Sequence, residues 1–217
     1  MHFNNPKNGV GVLNDLPDVE SLGTITRGVV RNFDDSAYSF DYGNTHFAVI
    51  NTGTDWDEEG TMKIVAEQAK WLDEDLSESD KQWKIVMLHQ SMYPAKTERY
   101  STKAPLLDVI DKHEVDLVLQ GHDHKVTRTY PMRNDAIVTT SNPASVKKGT
   151  GTIYSILGSA GPKRYSALEQ IPEYMAFLEA TSSSKPVYYI FTVNDEKISV
   201  VAKQSDGTLV DSYEIVD

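Results

Sequence analysis

Two short apolar runs, Lys84–Leu88 and Val115–Leu119, each lead into histidine, and a segment with helical spacing lies between them. Runs of this length and β-branched content read as strands buried on both faces, as in a parallel sheet. Between them, Pro105–His113 carries apolar residues at Leu106, Leu107 and Ile110, behind a proline suited to the first helical turn. Strand, helix, strand is a βαβ crossover, so the two strands should lie parallel in one sheet. Leu88 is followed by His89, and Leu119-Gln120-Gly121 by His122 and His124. Open α/β sheets bind ligands beyond the carboxyl ends of their strands, so three imidazoles are expected at one crevice.

Metal binding is the first chemistry such a triad suggests. Neutral imidazole suits zinc, iron, manganese and related divalent ions. Gly121 lets the backbone bend where the strand ends, and the alternation His122-Asp123-His124 points the two rings differently. A single histidine such as His89 is more often a satisfied polar group or a surface residue than a ligand. A G-H-D-H run directly after VDLVL points to metal, and that run draws His89 into the same reading.

The rest of the chain reads as one mixed domain. Residues 1–36 are rich in Asn, Asp, Gly and Pro and read as surface loop, with a short helix near Asp18–Leu22. Tyr38–Tyr42 and Thr45–Thr52 are strand-like around the hairpin pair Gly43-Asn44. Met62–Leu76 spaces its apolar residues as an amphipathic helix with Trp71 in the core. The 15-residue connection Gln90–Ala104 has no periodicity, and loops that long are commonly functional or disordered. Its Tyr93, Lys96, Arg99, Tyr100 and Lys103 should border the crevice, where a cation or phenol, Tyr93 and Arg99 above all, could hold a phosphate ester. The alternative is a solvated loop. Lys125–Tyr130, Ala136–Thr140 and Thr152–Leu157 read as strands, and Ser141–Gly151 as loop with a solvated Lys147-Lys148 pair. Pro172–Leu178 is a short apolar element, and Val187–Val193, Lys197–Lys203 and Leu209–Val216 alternate as a three-strand meander.

At this point a resemblance becomes specific. The segments YGNTHFAVINT, QAKWLDEDL, WKIVMLHQSMY, DLVLQGHDHKVTRTYP and GTIYSILGSAGPKRY occur in the order of a calcineurin-like metallophosphoesterase. Within that superfamily the chain most resembles the purple acid phosphatase branch, over roughly residues 38 to 217. The resemblance implies an α/β fold, the C-terminal half of a four-layer α/β/β/α sandwich. It implies phosphate-ester hydrolysis by a metal-dependent phosphatase with two metal ions (Fe, Mn or Zn), and a secreted or cell-surface location. Carried over, His89 and His122 serve one ion and His124 its neighbour.

The family's D-x-H, G-D-x-x-D and G-N-H motifs do not occur here in the right place, so residues 1–217 read as a single, partial domain. Asp111-Lys112-His113 fits D-x-H as a pattern but closes a helix, where the dipole favours His113, and Gly43-Asn44-Thr45-His46 is not G-N-H. No catalytic residue is therefore assigned. The expectation is a truncated chain that is inactive alone, with weak, partial metal occupancy, its parent acting on a phosphate ester. Two other readings stay open: a non-catalytic interaction fragment, and a single-ion binding module.

Composition bounds the partners. Lys+Arg of 21 against Asp+Glu of 32 gives a net charge of -11, which opposes a nucleic-acid or anionic-membrane surface. Zero cysteines exclude disulfides and thiolate metal sites. No apolar run approaches the roughly 18 residues of a membrane span. Surface made for an absent half should be sticky, so a homodimer through that face is expected.

Overall fold

The computed structural model describes residues 6, 8, 9, 37–52, 58–95, 103–161, 171–179 and 185–217. The helix expected near Asp18–Leu22 lies outside them, as do Lys96, Arg99 and Tyr100. Among the described residues no helix is long and apolar enough to cross a membrane.

The first described elements form a hairpin, β1 (Tyr38–Tyr42) and β2 (Thr45–Ile50), antiparallel with Tyr42 opposite Thr45. Gly43 has φ +59°, the positive φ that a two-residue turn of the primed types needs. Helix α1 (Glu58–Glu78) then leads to β3 (Trp83–Leu88), and α2 (Lys103–Lys112) to β4 (Leu117–Gln120). Further on come β5 (Val126–Thr129), the small pair β6 (Met132–Arg133) and β7 (Ala136–Ile137), β8 (Ser145–Lys147) and β9 (Ile153–Leu157). The chain ends with β10 (Met175–Leu178), β11 (Val187–Val193), β12 (Lys197–Gln204) and β13 (Leu209–Val216).

Among the described residues, seven strands form the large sheet in the order β1-β2-β3-β4-β9-β5-β10. The expected crossover is there: β3 and β4 pair in parallel with Met87 opposite Leu119. Strand β9 lies between β4 and β5, parallel to the first and antiparallel to the second. The small sheet runs β11-β12-β13-β8, the meander plus one parallel strand.

The alternation of side chains assigns each face of the large sheet a partner. Ala48, Ile50, Val86, Leu88, Val118 and Tyr154 pack against Val65, Leu72, Leu76, Leu106 and Ile110 of the helices. On the other face Trp83, Ile85, Leu117 and Ile153 meet Ile198, Val200, Tyr213 and Ile215 of the small sheet. Full burial of each such side chain contributes about 1.5–3 kcal/mol. The layers are thus helix, sheet, sheet. The fourth, helical layer of the expected sandwich does not stand on the small sheet among the described residues; its outer face shows Tyr188 and Ile190, each 45% exposed.

Buried polar groups fix how these layers meet. Arg128 of β5 donates through Nε and Nη2 to both carboxylate oxygens of Asp211 in β13, at 2.9 and 3.2 Å, and through Nη1 to the carbonyl of Pro143. Its guanidinium also lies 4.6 Å from the centre of the Tyr213 ring. His46 of β2, 6% exposed, stands between Asp41 of β1 and Asp75 of α1, with each ring nitrogen 2.8 Å from a carboxylate oxygen. Burial alone would lower its pKa, but the hydrogen bonds to Asp75 and Asp41 outweigh that and raise it. Asp116, just before β4, accepts from the amide of Lys84 at 2.9 Å, and burial still pushes its carboxyl up to about 6.

Three expectations are corrected. Trp71 of α1 is half-buried, packed against the edge of the helix-side core and not enclosed within it, and its indole donates to the carbonyl of Asn8 at 2.9 Å. The span 141–151 is not all loop, since β8 lies within it, too short to show any periodicity. The Lys147-Lys148 pair is not simply solvated: the Lys148 ammonium donates to the carbonyl of Gln82 and sits 4.9 Å from the Trp83 ring centre.

Candidate metal centre

The parallel register of β3 and β4 decides which residues meet beyond their ends. With Met87 opposite Leu119, the next pair in step is His89 and Gly121, and the Gly121 amide donates to the His89 carbonyl at 3.0 Å. A Cβ at Gly121 would lie 3.1 Å from Nδ1 and 3.3 Å from the carbonyl oxygen of His89, so glycine lets the two backbones close. The chain then turns sharply. The Asp123 amide donates back to the Gly121 carbonyl at 2.9 Å, and His122 between them has φ 70°. A two-residue hydrogen bond around a positive φ is a γ-turn of the rare, strained hand. His124 follows with φ 51°, also in the left-handed region.

This turn brings the His122 ring against His89. Nδ1 of His122 lies 3.2 Å from Nε2 of His89, and the rings meet edge to face at 83° with centroids 5.2 Å apart. Metal–nitrogen bonds of about 2.0–2.1 Å to both atoms would subtend an angle of about 100° at one ion. That lies between octahedral and tetrahedral values, so the pair fits as two ligands of one ion. His89 is exposed and His122 half-buried, which leaves the pair open to solvent. Among the described residues no three His, Asp or Glu side chains gather as the ligand set of one ion.

The segment after His89 is bonded to the same turn. The Gln90 amide donates to Oγ1 of Thr52 at 3.0 Å, and the Ser91 hydroxyl to the Gly121 carbonyl at 2.7 Å. The Met92 amide donates to Oε1 of Gln120 at 2.6 Å, and the Ala95 amide to Oδ2 of Asp123 at 2.6 Å. Thr52, Gln120 and Asp123 are all buried. None of the three stands out in the sequence, because their partners come from separate parts of the chain. Their place beside the Gly121-His122 run is the one sign in the sequence that could have marked Gln120 and Asp123.

Tyr93 does not take the place expected of it. It is 1% exposed, its ring packs on Tyr154 and Tyr174 with centroids 4.5 and 5.3 Å away, and its hydroxyl donates to Asp135 at 3.1 Å. Burying a large ring while its hydroxyl finds a partner is the ordinary outcome for tyrosine, so the side chain belongs to the core and not to the crevice wall. Arg99 lies outside the described residues, and nothing of the Lys103 side chain is described. His46 and His113 lie elsewhere, each on a carboxylate of α1: Asp75 for the first and, at 2.5 Å, Asp73 for the second.

A model of the family described as calcineurin-like phosphoesterase matches residues 4–126. The match starts ahead of residue 38, where the resemblance read from motifs begins. The human acid phosphatase type 7 is 26% identical over 204 residues, covering 82% of this chain and 45% of that protein. A protein of Arabidopsis thaliana named probable inactive purple acid phosphatase 1 is 28% identical over 192 residues, covering 82% of this chain and 30% of its own length. In fold, the chain is similar to the purple acid phosphatase from yellow lupin seeds, with a TM-score of 0.69 at 22% identity over 83% of this chain and 32% of that one. The chain thus spans less than half the length of these relatives.

Proposed function

The chain belongs to the calcineurin-like phosphoesterase family, and from that premise we propose that it carries part of a two-metal phosphatase site, with His89 and His122 on one ion and His124 on its neighbour. The observation that supports the reading is the 3.2 Å separation of the His89 and His122 ring nitrogens. It is supported by the backbone bond between the strand ends, which keeps the two nitrogens within reach of one ion once the proton they share is displaced. When bound, the ions supply Lewis acidity at a phosphoryl group. The chain's own part is to fix the rings and leave one side open to a phosphate ester. In a protein of the relatives' length the reaction is hydrolysis of that ester, and this chain alone is inactive.

A single-ion module is the second reading. It is favoured by the absence, among the described residues, of a group of three His, Asp or Glu side chains able to hold an ion. Calorimetric titration with zinc or manganese separates the two: two ions per chain support the phosphatase site, and one supports the module. No binding, or binding unchanged in His89→Ala and His122→Ala, would remove both. We further propose that the chain self-associates; a monodisperse monomer by light scattering at micromolar concentration would count against it.

A further inference from the structure

We propose that Asp123 is a positioning residue of the metal centre: its buried carboxylate clamps the segment after His89 to the His122–His124 turn and thereby sets the separation of the two rings. The consequence for metal rests on the function proposed above, while the geometry stands without it.

Asp123 is 1% exposed although it lies in a loop between two half-buried histidines. A carboxylate is rarely buried to that degree unless it is bonded, and here Oδ2 accepts from the Ala95 amide at 2.6 Å. That bond joins Ala95, six residues beyond His89, to the middle of the turn that carries His122 and His124. Gln120 makes the matching bond one step earlier, accepting from Met92 at 2.6 Å, and Ser91 a third, to the Gly121 carbonyl. The bonds to Gln120 and Gly121 hold the strand end, where regular pairing already fixes the chain. The Asp123 side chain acts from within the turn itself, between two non-glycine residues with φ of 70° and 51°. Such backbone persists only where surrounding bonds over-determine it. Without the clamp, residues 122–124 can relax toward ordinary φ, and the His122 ring turns away from His89.

The test uses the full 217-residue chain and three variants. Asp123→Ala removes the acceptor, Asp123→Asn keeps an oxygen for the Ala95 amide, and Ala95→Pro removes the donor from the other side. The metal-free proteins are read by imidazole NMR for the contact between the His89 and His122 rings, and zinc affinity is then measured by calorimetry. The expected result is loss of the ring contact and about 10- to 100-fold weaker zinc binding in Asp123→Ala, with both retained in Asp123→Asn. If Asp123→Ala does not fold, Ala95→Pro gives the same reading. An intact ring contact in whichever of the two folds overturns the proposal, as does an Asp123→Asn variant as damaged as Asp123→Ala. A chain that binds no zinc but loses the ring contact on losing the clamp supports the positioning role and defeats the proposed function instead.

Discussion

Gly121 and His89 are so close that one methyl group separates the native arrangement from a displaced ring: an added Cβ would lie 3.1 Å from Nδ1 of His89. His89 is exposed, so its ring can swing aside without unfolding the chain. Gly121→Ala should therefore cost stability by less than about 1 kcal/mol while weakening zinc binding roughly tenfold. Paired thermal melts and zinc titrations check this. A variant that loses stability but keeps its zinc affinity would place the role of Gly121 in the fold.

The γ-turn at His122 predicts a trade between stability and site. A non-glycine residue with φ of 70° carries a backbone cost of about 1–3 kcal/mol, which glycine avoids. His122→Gly should raise the unfolding free energy by about 1 kcal/mol and abolish binding at the His89 position. Denaturant unfolding is the measurement; a destabilised variant would mean that the imidazole packing outweighs the strain.

Asp116 should make the fold more stable in mild acid. Its carboxyl titrates at about 6 when folded, above the ordinary value, so the native state holds that proton more tightly than the unfolded chain. Stability is then highest below about pH 4, falls as pH rises toward 6, and is level beyond. The cost of the buried charge at neutral pH is on the order of 3 kcal/mol. Asp116→Asn keeps an oxygen for the Lys84 amide and removes the charge. It should raise the melting temperature at pH 7.5 and change little at pH 4. Equal effects at both pH values would assign its effect to packing.

His46 adds a second slope, in a higher window. Both of its ring nitrogens face carboxylates, an arrangement satisfied when the ring is doubly protonated. Its raised pKa means the contribution is complete below about pH 6.5 and is lost as pH rises through the folded value. His46→Gln should cost about 1–2 kcal/mol at pH 6 and flatten the stability profile above that point. An unchanged profile would assign the dependence to another group.

Much of this architecture could be read before any coordinates because it rests on local periodicity. The runs 84–88 and 115–119 are almost continuously apolar and lead toward histidine, and the meander alternates with a period of two; both patterns follow from how strands are buried. The meeting of His89 and His122 follows from the parallel register once the crossover is recognised. What could not be read depends on partners far apart in the chain. Tyr93 is a phenol in a polar loop by sequence, and only the rings of Tyr154 and Tyr174 make it core. Strand β8 exists because β13 offers it an edge, with Ile215 opposite Val146. Asp123 and Gln120 matter through amides of Ala95 and Met92, which no spacing rule connects to them.

The position of β9 between β4 and β5 also governs the order in which the molecule can assemble. The turn that carries His122 and His124 leaves the end of β4 and enters β5, two strands that are not neighbours and are held apart by residues 153–157. While the chain is being made, residues 89 to 129 are all present before the strand that spaces them exists. Docking of β5 must then wait for β9 to insert, a non-local step of the kind that slows folding. The ring pair, formed where β3 meets β4, can close first, and the path of the chain beyond His124 is fixed only afterwards.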